Sequence, residues 1–243
     1  MGKGLGRRHF LEAAAGAGAA LTVGRVSAEE QEQAATAPGH QPHVARNAPA
    51  AQARLFLNDA EAAFLTAAID VLLPADDVGP GGVEAGVVLY LDRQLAGAWG
   101  SGARMYLAGP WAEGTPQQGY QLPLNPAQLF RIGMADSDRA AKDSFGKGFA
   151  QLDAAQRNDF FAGLSSGDIG LSNVPGKVFF LTLQEAVIEG YFSDPAYGGN
   201  KGMAAWRMIG FPGARGAYLD DIAQYRGKPF QAEPVSLADL QVR

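Results

Sequence analysis

From residue 55 onward, apolar positions recur at helical spacing in stretches separated by turn-forming residues. Asn58-Asp59-Ala60-Glu61 has the form of a helix cap with a reciprocal Glu three positions on, and Phe64, Leu65, Ala68, Ile69 and Leu72 follow on one face. Pro74 stops that helix, and Pro74-Ala75-Asp76-Asp77 with Gly79-Pro80-Gly81-Gly82 forms a loop. A second helix is predicted over Val83–Ala98, with Val87, Val88, Leu91 and Leu95 turned inward. Asn125-Pro126 opens a third. Leu129, Ile132, Ala140 and Phe149 continue its pattern, and a break is placed near Ser137 or Gly146. Asp153 caps a fourth, whose apolar side holds Phe160, Phe161 and Leu164 and which Gly167 ends. Pro175 starts the most apolar element, through Ile188, read as a buried helix because of its length and its Pro start. A last helix is placed at Ala217–Tyr225. Strand-like alternation is scarce and no internal repeat emerges, so the fold class is mainly α, a single helical domain with long Gly-, Pro- and aromatic-rich loops.

The first 53 residues follow another pattern. Lys3, Arg7 and Arg8 form a basic start, Phe10 to Val23 is a short, weakly apolar stretch, and Val26-Ser27-Ala28 offers small residues for cleavage. The apolar run is shorter than the ~20 residues a membrane span needs. Gly6-Arg7-Arg8-His9-Phe10-Leu11 resembles the twin-arginine (Tat) signal, which addresses folded proteins to the Tat translocase. Residues 1–28 are therefore read as a Tat-type signal peptide. Residues 29–53, rich in Ala, Gln, Glu and Pro, are read as a flexible linker, and residues 54–243 as the folded domain. The expected destination is the periplasm.

Composition narrows the chemistry. At 243 residues and 47% hydrophobic content the chain can bury a sizeable core. It has no Cys, and its three His (His9, His40, His43) all precede the domain. Thiolate zinc, iron–sulfur clusters, c-type haem attachment, Cys nucleophiles, His triads and His-ligated metals are thereby excluded from the body. Without residues 1–28 the chain carries 16 Lys+Arg against 24 Asp+Glu, a net charge of −8, which makes nucleic acid an unsuitable partner. Gly79-Pro80-Gly81 lacks the rest of a dinucleotide fingerprint, there is no P-loop, and Asp136-Ser137-Asp138 lacks the later ligands of an EF-hand. The body offers no catalytic, cofactor or metal residue that its sequence marks out.

Two aromatic-rich stretches stand apart. Residues 100–125 are punctuated by Gly and Pro, with Trp99, Tyr106, Trp111 and Tyr120 interleaved, and read as a long loop packed down or bound to something. Glu189-Gly190-Tyr191-Phe192-Ser193-Asp194-Pro195-Ala196-Tyr197-Gly198-Gly199-Asn200 combines turn chemistry with three aromatics. It is either a recognition loop or a structural corner that plugs the bundle. As an interface its candidates are Tyr191, Asp194, Tyr197 and Asn200, joined by Trp111 and Tyr120 from the loop. Gly198 and Gly199 are expected to allow backbone torsions that a side chain forbids.

The chain resembles the small subunit (subunit 3) of bacterial gluconate 2-dehydrogenase over roughly residues 54–226. The likeness rests on Leu72-Leu73-Pro74-Ala75-Asp76, then Pro80-Gly81-Gly82-Val83-Glu84-Ala85-Gly86 with Leu91-Asp92. It rests most of all on Glu189–Asn200 followed by Trp206-x-x-Ile209-Gly210-x-Pro212-Gly213; Ala205 stands where the family usually has Gly. The resemblance implies a three-part oxidoreductase: a large FAD-dependent flavoprotein of the GMC type, a multi-haem cytochrome c, and this small exported subunit. It implies no catalytic residues here, places FAD and haem c on the partner subunits, and implies membrane association through those partners. A Tat leader on a body without a cofactor motif agrees with an escort for a folded, cofactor-loaded partner. The alternative is a free-standing secreted carbohydrate-binding protein or carboxylate-dependent hydrolase.

Overall fold

The computed structural model describes residues 53–112 and 114–240. The expected signal peptide with Arg7 and Arg8, and nearly all of the expected linker, lie outside the described residues. Eight α-helices occur among the described residues: α1 (Asp59–Leu72), α2 (Val87–Ala96), α3 (Pro126–Phe145), α4 (Ala154–Ser166), α5 (Gly176–Phe192), α6 (Ala204–Ile209), α7 (Leu219–Gln224) and α8 (Leu237–Leu240). The described residues hold no β-strand, only an isolated parallel bridge between Gly213 and Val235.

Local chemistry sets the helix starts. The Asn58 side chain accepts the Glu61 N–H at 2.9 Å while the Glu61 carboxylate accepts the Asn58 N–H at 2.9 Å. The same reciprocal cap recurs at Asn125/Gln128 and Asp153/Gln156. Left-handed glycines end α3 and α4, Gly146 at φ 73° and Gly167 at φ 90°.

Three expectations shift. The second helix begins at Val87, not Val83, because Gly86 sits at φ 85° and closes a turn over 81–86 before the helix starts. The break placed near Ser137 or Gly146 falls at Gly146: α3 runs through the fully buried Ser137 to Phe145, and Phe149 lies beyond it in a separate turn. The last predicted helix is trimmed to Leu219–Gln224. Helices α6 and α8, six and four residues long, escape a periodicity search because neither completes two turns.

Helix α1 is the hub, packing against α2, α3, α4 and α5. A relay of rings fills the centre. Phe64 meets Phe149 at 4.6 Å between centroids, Phe149 meets Phe160 and Phe161 at 5.3 and 5.0 Å, and Phe161 meets Phe180 at 5.4 Å. Phe130 bridges Trp99 and Phe179 at 5.9 and 6.0 Å. Trp99 thus ties the start of the long loop to the core, and the Ala127 N–H, donating to Gly100 O at 3.0 Å, ties it to α3.

The chain enters this bundle through a clasp. The buried Asp92 carboxylate on α2 accepts the backbone N–H of Leu55 at 2.7 Å, Phe56 at 3.0 Å and Leu57 at 2.9 Å. On the other side the Arg131 guanidinium lies 4.3 Å from the Phe56 ring centroid and donates to Phe56 O at 3.3 Å. Residues 55–57 are held by both backbone polarities without being part of a helix.

Candidate partner-binding site

The two motif stretches, far apart in sequence, meet in space. The turn Pro80–Gly86 between α1 and α2 receives the end of α5 and the corner after it. Tyr191 OH donates to Pro80 O at 2.9 Å, and Lys201 N–H donates to Ala85 O at 3.0 Å. Glycines make the approach possible: a Cβ on Gly86 would stand 2.6 Å from Gly198 O, and one on Gly199 would collide with Gly190 O. Gly198 has the expected left-handed torsion, φ 108°. Gly199 does not, and is required for close backbone approach instead.

Inside the corner every polar candidate is used locally. Asn200 is fully buried at φ 43°, a left-handed position that Asn tolerates. Its Nδ2 donates to Ser193 O at 3.0 Å and its Oδ1 accepts the Ala205 N–H at 2.9 Å. Ala205, standing where the family pattern has Gly, is itself buried. Trp206 Nε1 donates to Phe192 O at 2.8 Å, which docks α6 on the end of α5. Asp194 accepts the Ala196 N–H at 2.9 Å, the Ser236 hydroxyl at 2.8 Å and the Leu237 N–H at 2.8 Å. One buried carboxylate therefore closes the corner and clamps α8 onto it.

These placements correct part of the interface expectation. Tyr191 and Asn200 are 1% and 0% exposed and Asp194 is 9% exposed, so all three face the protein interior and hold the corner together. Tyr197 alone of the four is at the surface, 49% exposed. Trp111 is half-buried. Tyr120 is half-buried with its hydroxyl donating to Leu124 O at 3.0 Å. The loop carrying Trp111 and Tyr120 is anchored on the first turn of α3 rather than on the corner.

Beside Tyr197 lies a face of unusual electrostatics. Burial pushes the Tyr90 hydroxyl up to about 12, with the Glu189 carboxylate and Tyr197 adding to the shift. Burial, then repulsion from Glu185 one turn away, raises Glu189. Burial also pushes Tyr120 up to about 12. Both tyrosines are protonated at neutral pH. An open groove of about 540 Å³ runs between α1 and α3, lined by Phe64 and Met134 among others. Its rim cations are already paired: Arg131 with Glu61 at 3.6 Å, Arg139 with Asp136, Lys142 with Asp138 at 2.6 Å. Among the described residues no group of three or more His, Cys, Asp or Glu side chains is placed to hold a metal ion.

The sequence did not reveal Arg131 and Ser236, and it marked Asp92 as part of the family pattern without its role. Each acts across at least 35 residues, and nothing in their own neighbourhoods announces the partner.

The packed motif pair on an all-α body defines a helical subunit built around one internal corner. Residues 59–213 match the family model described as gluconate 2-dehydrogenase subunit 3, and the chain belongs to that family. No curated protein and no solved structure matches it. Membership makes the chain an accessory subunit of the gluconate 2-dehydrogenase type, one that forms a complex with other subunits of that enzyme. No described helix is long and apolar enough to cross a membrane.

Proposed function

We propose that this chain is the exported, non-catalytic small subunit of a periplasmic, membrane-associated dehydrogenase for sugars or sugar acids. In this reading it escorts a large FAD-dependent flavoprotein through the Tat translocase and stabilises it afterwards. FAD sits on that flavoprotein and haem c on a cytochrome subunit, through which the complex reaches the membrane. The observation that carries the reading is the pairing of the family match over 59–213 with the Arg7-Arg8 leader. The body's sequence adds support, having neither Cys nor His nor a dinucleotide fingerprint with which to do redox chemistry of its own.

The test is export of the partner. Replacing Arg7 and Arg8 together by Lys is expected to leave both this chain and the flavoprotein in the cytoplasm, read by fractionation and blotting. A flavoprotein that still reaches the periplasm while this chain stays behind refutes the escort role.

A further inference from the structure

Large apolar side chains left at the surface are not evenly distributed. Thirteen are exposed among the described residues; five lie between Leu55 and Leu181, and eight fall within residues 197–240. Charge divides at the same place. Residues 53–193 hold nine Lys or Arg against sixteen Asp or Glu, whereas residues 194–240 hold five against five. Among the described residues the acidity thus sits on the 53–193 body, and the 194–240 segment is neutral and rich in exposed apolar groups. Low net charge with exposed aromatic and aliphatic groups is the composition of a protein interface core.

This end is braced rather than loose. The chain leaves the body at Gly213 and returns at Val235, where Ala214 N–H donates to Val235 O at 2.7 Å and Val235 N–H donates to Pro212 O at 3.2 Å. Arg207 pairs with Glu233 at 3.1 Å across the base. Within the excursion the Arg215 guanidinium lies 5.5 Å from the Tyr218 ring centroid and 5.1 Å from that of Phe230, and it pairs with Asp221. Tyr225 packs edge-on against Phe230 at 5.0 Å. Yet Leu219 and Ile222, one turn apart on the same side of α7, are 79% and 64% exposed. A segment pinned at its base and stiffened inside, with its apolar side left in water, is organised in advance for a partner, which reduces the ordering cost of binding.

We infer that the 197–240 end, led by Leu219 and Ile222 of α7 and joined by Ile209, Phe211 and Tyr197, is the surface that docks the flavoprotein subunit. The inference rests on the accessory-subunit reading and adds the location of the contact. The occupant is a protein with an apolar groove. The segment's charges balance, four of them within the ion pairs Arg207–Glu233 and Arg215–Asp221, so it offers an anionic lipid surface no net positive charge. Steering by charge plays little part, so the contact is insensitive to salt.

The experiment co-expresses this chain with a tagged flavoprotein subunit of the same complex and measures the affinity of the purified pair. Leu219→Asp with Ile222→Asp is expected to weaken association by about a hundredfold, tenfold or more at each anchor. The melting temperature of the isolated subunit should be unchanged. Leu181→Asp, on the acidic body, is expected to leave affinity as it was. A photo-crosslinking residue at position 219 should join the two chains, and one at position 78 should not. This second measurement needs no destabilising substitution. If the double variant binds as wild type, or crosslinks arise only from position 78, the docking surface lies elsewhere and the inference fails while the accessory role stands. If wild-type chain and flavoprotein never associate, the accessory reading itself fails. If the double variant instead abolishes self-association in sedimentation, or binding to vesicles of anionic lipid, with flavoprotein affinity intact, the surface serves a second copy or a membrane and the inference is overturned.

Discussion

Replacing Asp92 tests the account of how the chain is fastened to its core. Its Oδ1 accepts from Phe56 and Leu57 and its Oδ2 from Leu55. Asp92→Asn keeps one acceptor oxygen and turns an NH2 toward the third N–H, so one charge-assisted bond is lost and the other two become neutral. A hydrogen bond to a charged group contributes about 1.5–3 kcal/mol, and that range is the expected cost. At about 2–4 °C per kcal/mol for a domain of this size, the melting temperature should fall by roughly 3–12 °C. Asp92→Ala removes both acceptor oxygens and with them all three bonds. It should not triple the cost, because residues 53–57 can leave the surface and hydrate their N–H groups, which limits the loss to the burial of Leu57 and part of Phe56, about 3 kcal/mol. The distinguishing signature is local. Hydrogen exchange should show residues 55–57 unprotected in Asp92→Ala while α1 and α5 keep protection in proportion to the global stability. If residues 55–57 remain protected, the clasp is not what holds them. If instead α2 and α5 lose protection in step with residues 55–57, the clasp is not separable from the core.

Four further outcomes follow from the corner and its surroundings. Tyr191→Phe should cost about 1 kcal/mol through loss of the bond to Pro80 O, whereas Tyr197→Ala should stay within about 0.5 kcal/mol, both read by urea denaturation. Gly199→Ala should destabilise by about 3 kcal/mol or more, since its methyl would meet the Gly190 carbonyl, and a melting curve near wild type would refute the close approach. Tyr90 and Tyr120 should ionise with midpoints near 12 in a tyrosinate absorbance titration of the folded protein. Because their folded values exceed the ordinary 10.0, the stability they contribute is complete below pH 10 and is lost as pH rises toward 12; Tyr90→Phe should reduce that loss. Glu189 is likewise raised, so the folded state resists its ionisation: Glu189→Gln should stabilise the subunit at pH 7 by a few tenths of a kcal/mol, relieving first the burial of the charge and then its repulsion with Glu185, and the gain should vanish well below pH 4.5.

Helices proved legible wherever their signal was local. Asn58 announces its cap through Glu61, Asn125 through the proline after it and Asp153 through its own side chain, and Gly146 and Gly167 mark ends, because capping involves neighbours only. The corner was legible as a turn but not as a buried one. Tyr191 and Asn200 carry side chains that suit a surface equally well, and only the arrival of Pro80 and Ala205 decides their burial. Tyr197, two positions from Gly199, remained outside because that arrival covers one side of the corner. Asp194 illustrates the same limit: its sequence neighbour Pro195 marks a turn, while its more distant partners, Ser236 and Leu237, lie over 40 residues away. Helix α8 depends on that distant anchor, α6 on Phe192 fourteen residues before Trp206, and both have too few residues to display a period.

The bond from Tyr191 to Pro80 spans 111 residues, and Arg93 reaches Ala196 across 103. Contacts of that span carry the full entropy of closing a long loop, whereas the capped helices between them form from neighbours alone. Closure of the corner is therefore expected to follow the meeting of α2 and α5 and to coincide with completion of the bundle. The surface bearing Tyr197 and the clamp on α8 are built on that corner. A chain whose corner has not closed is expected to lack them, so that a partner at this end of the molecule would select finished copies.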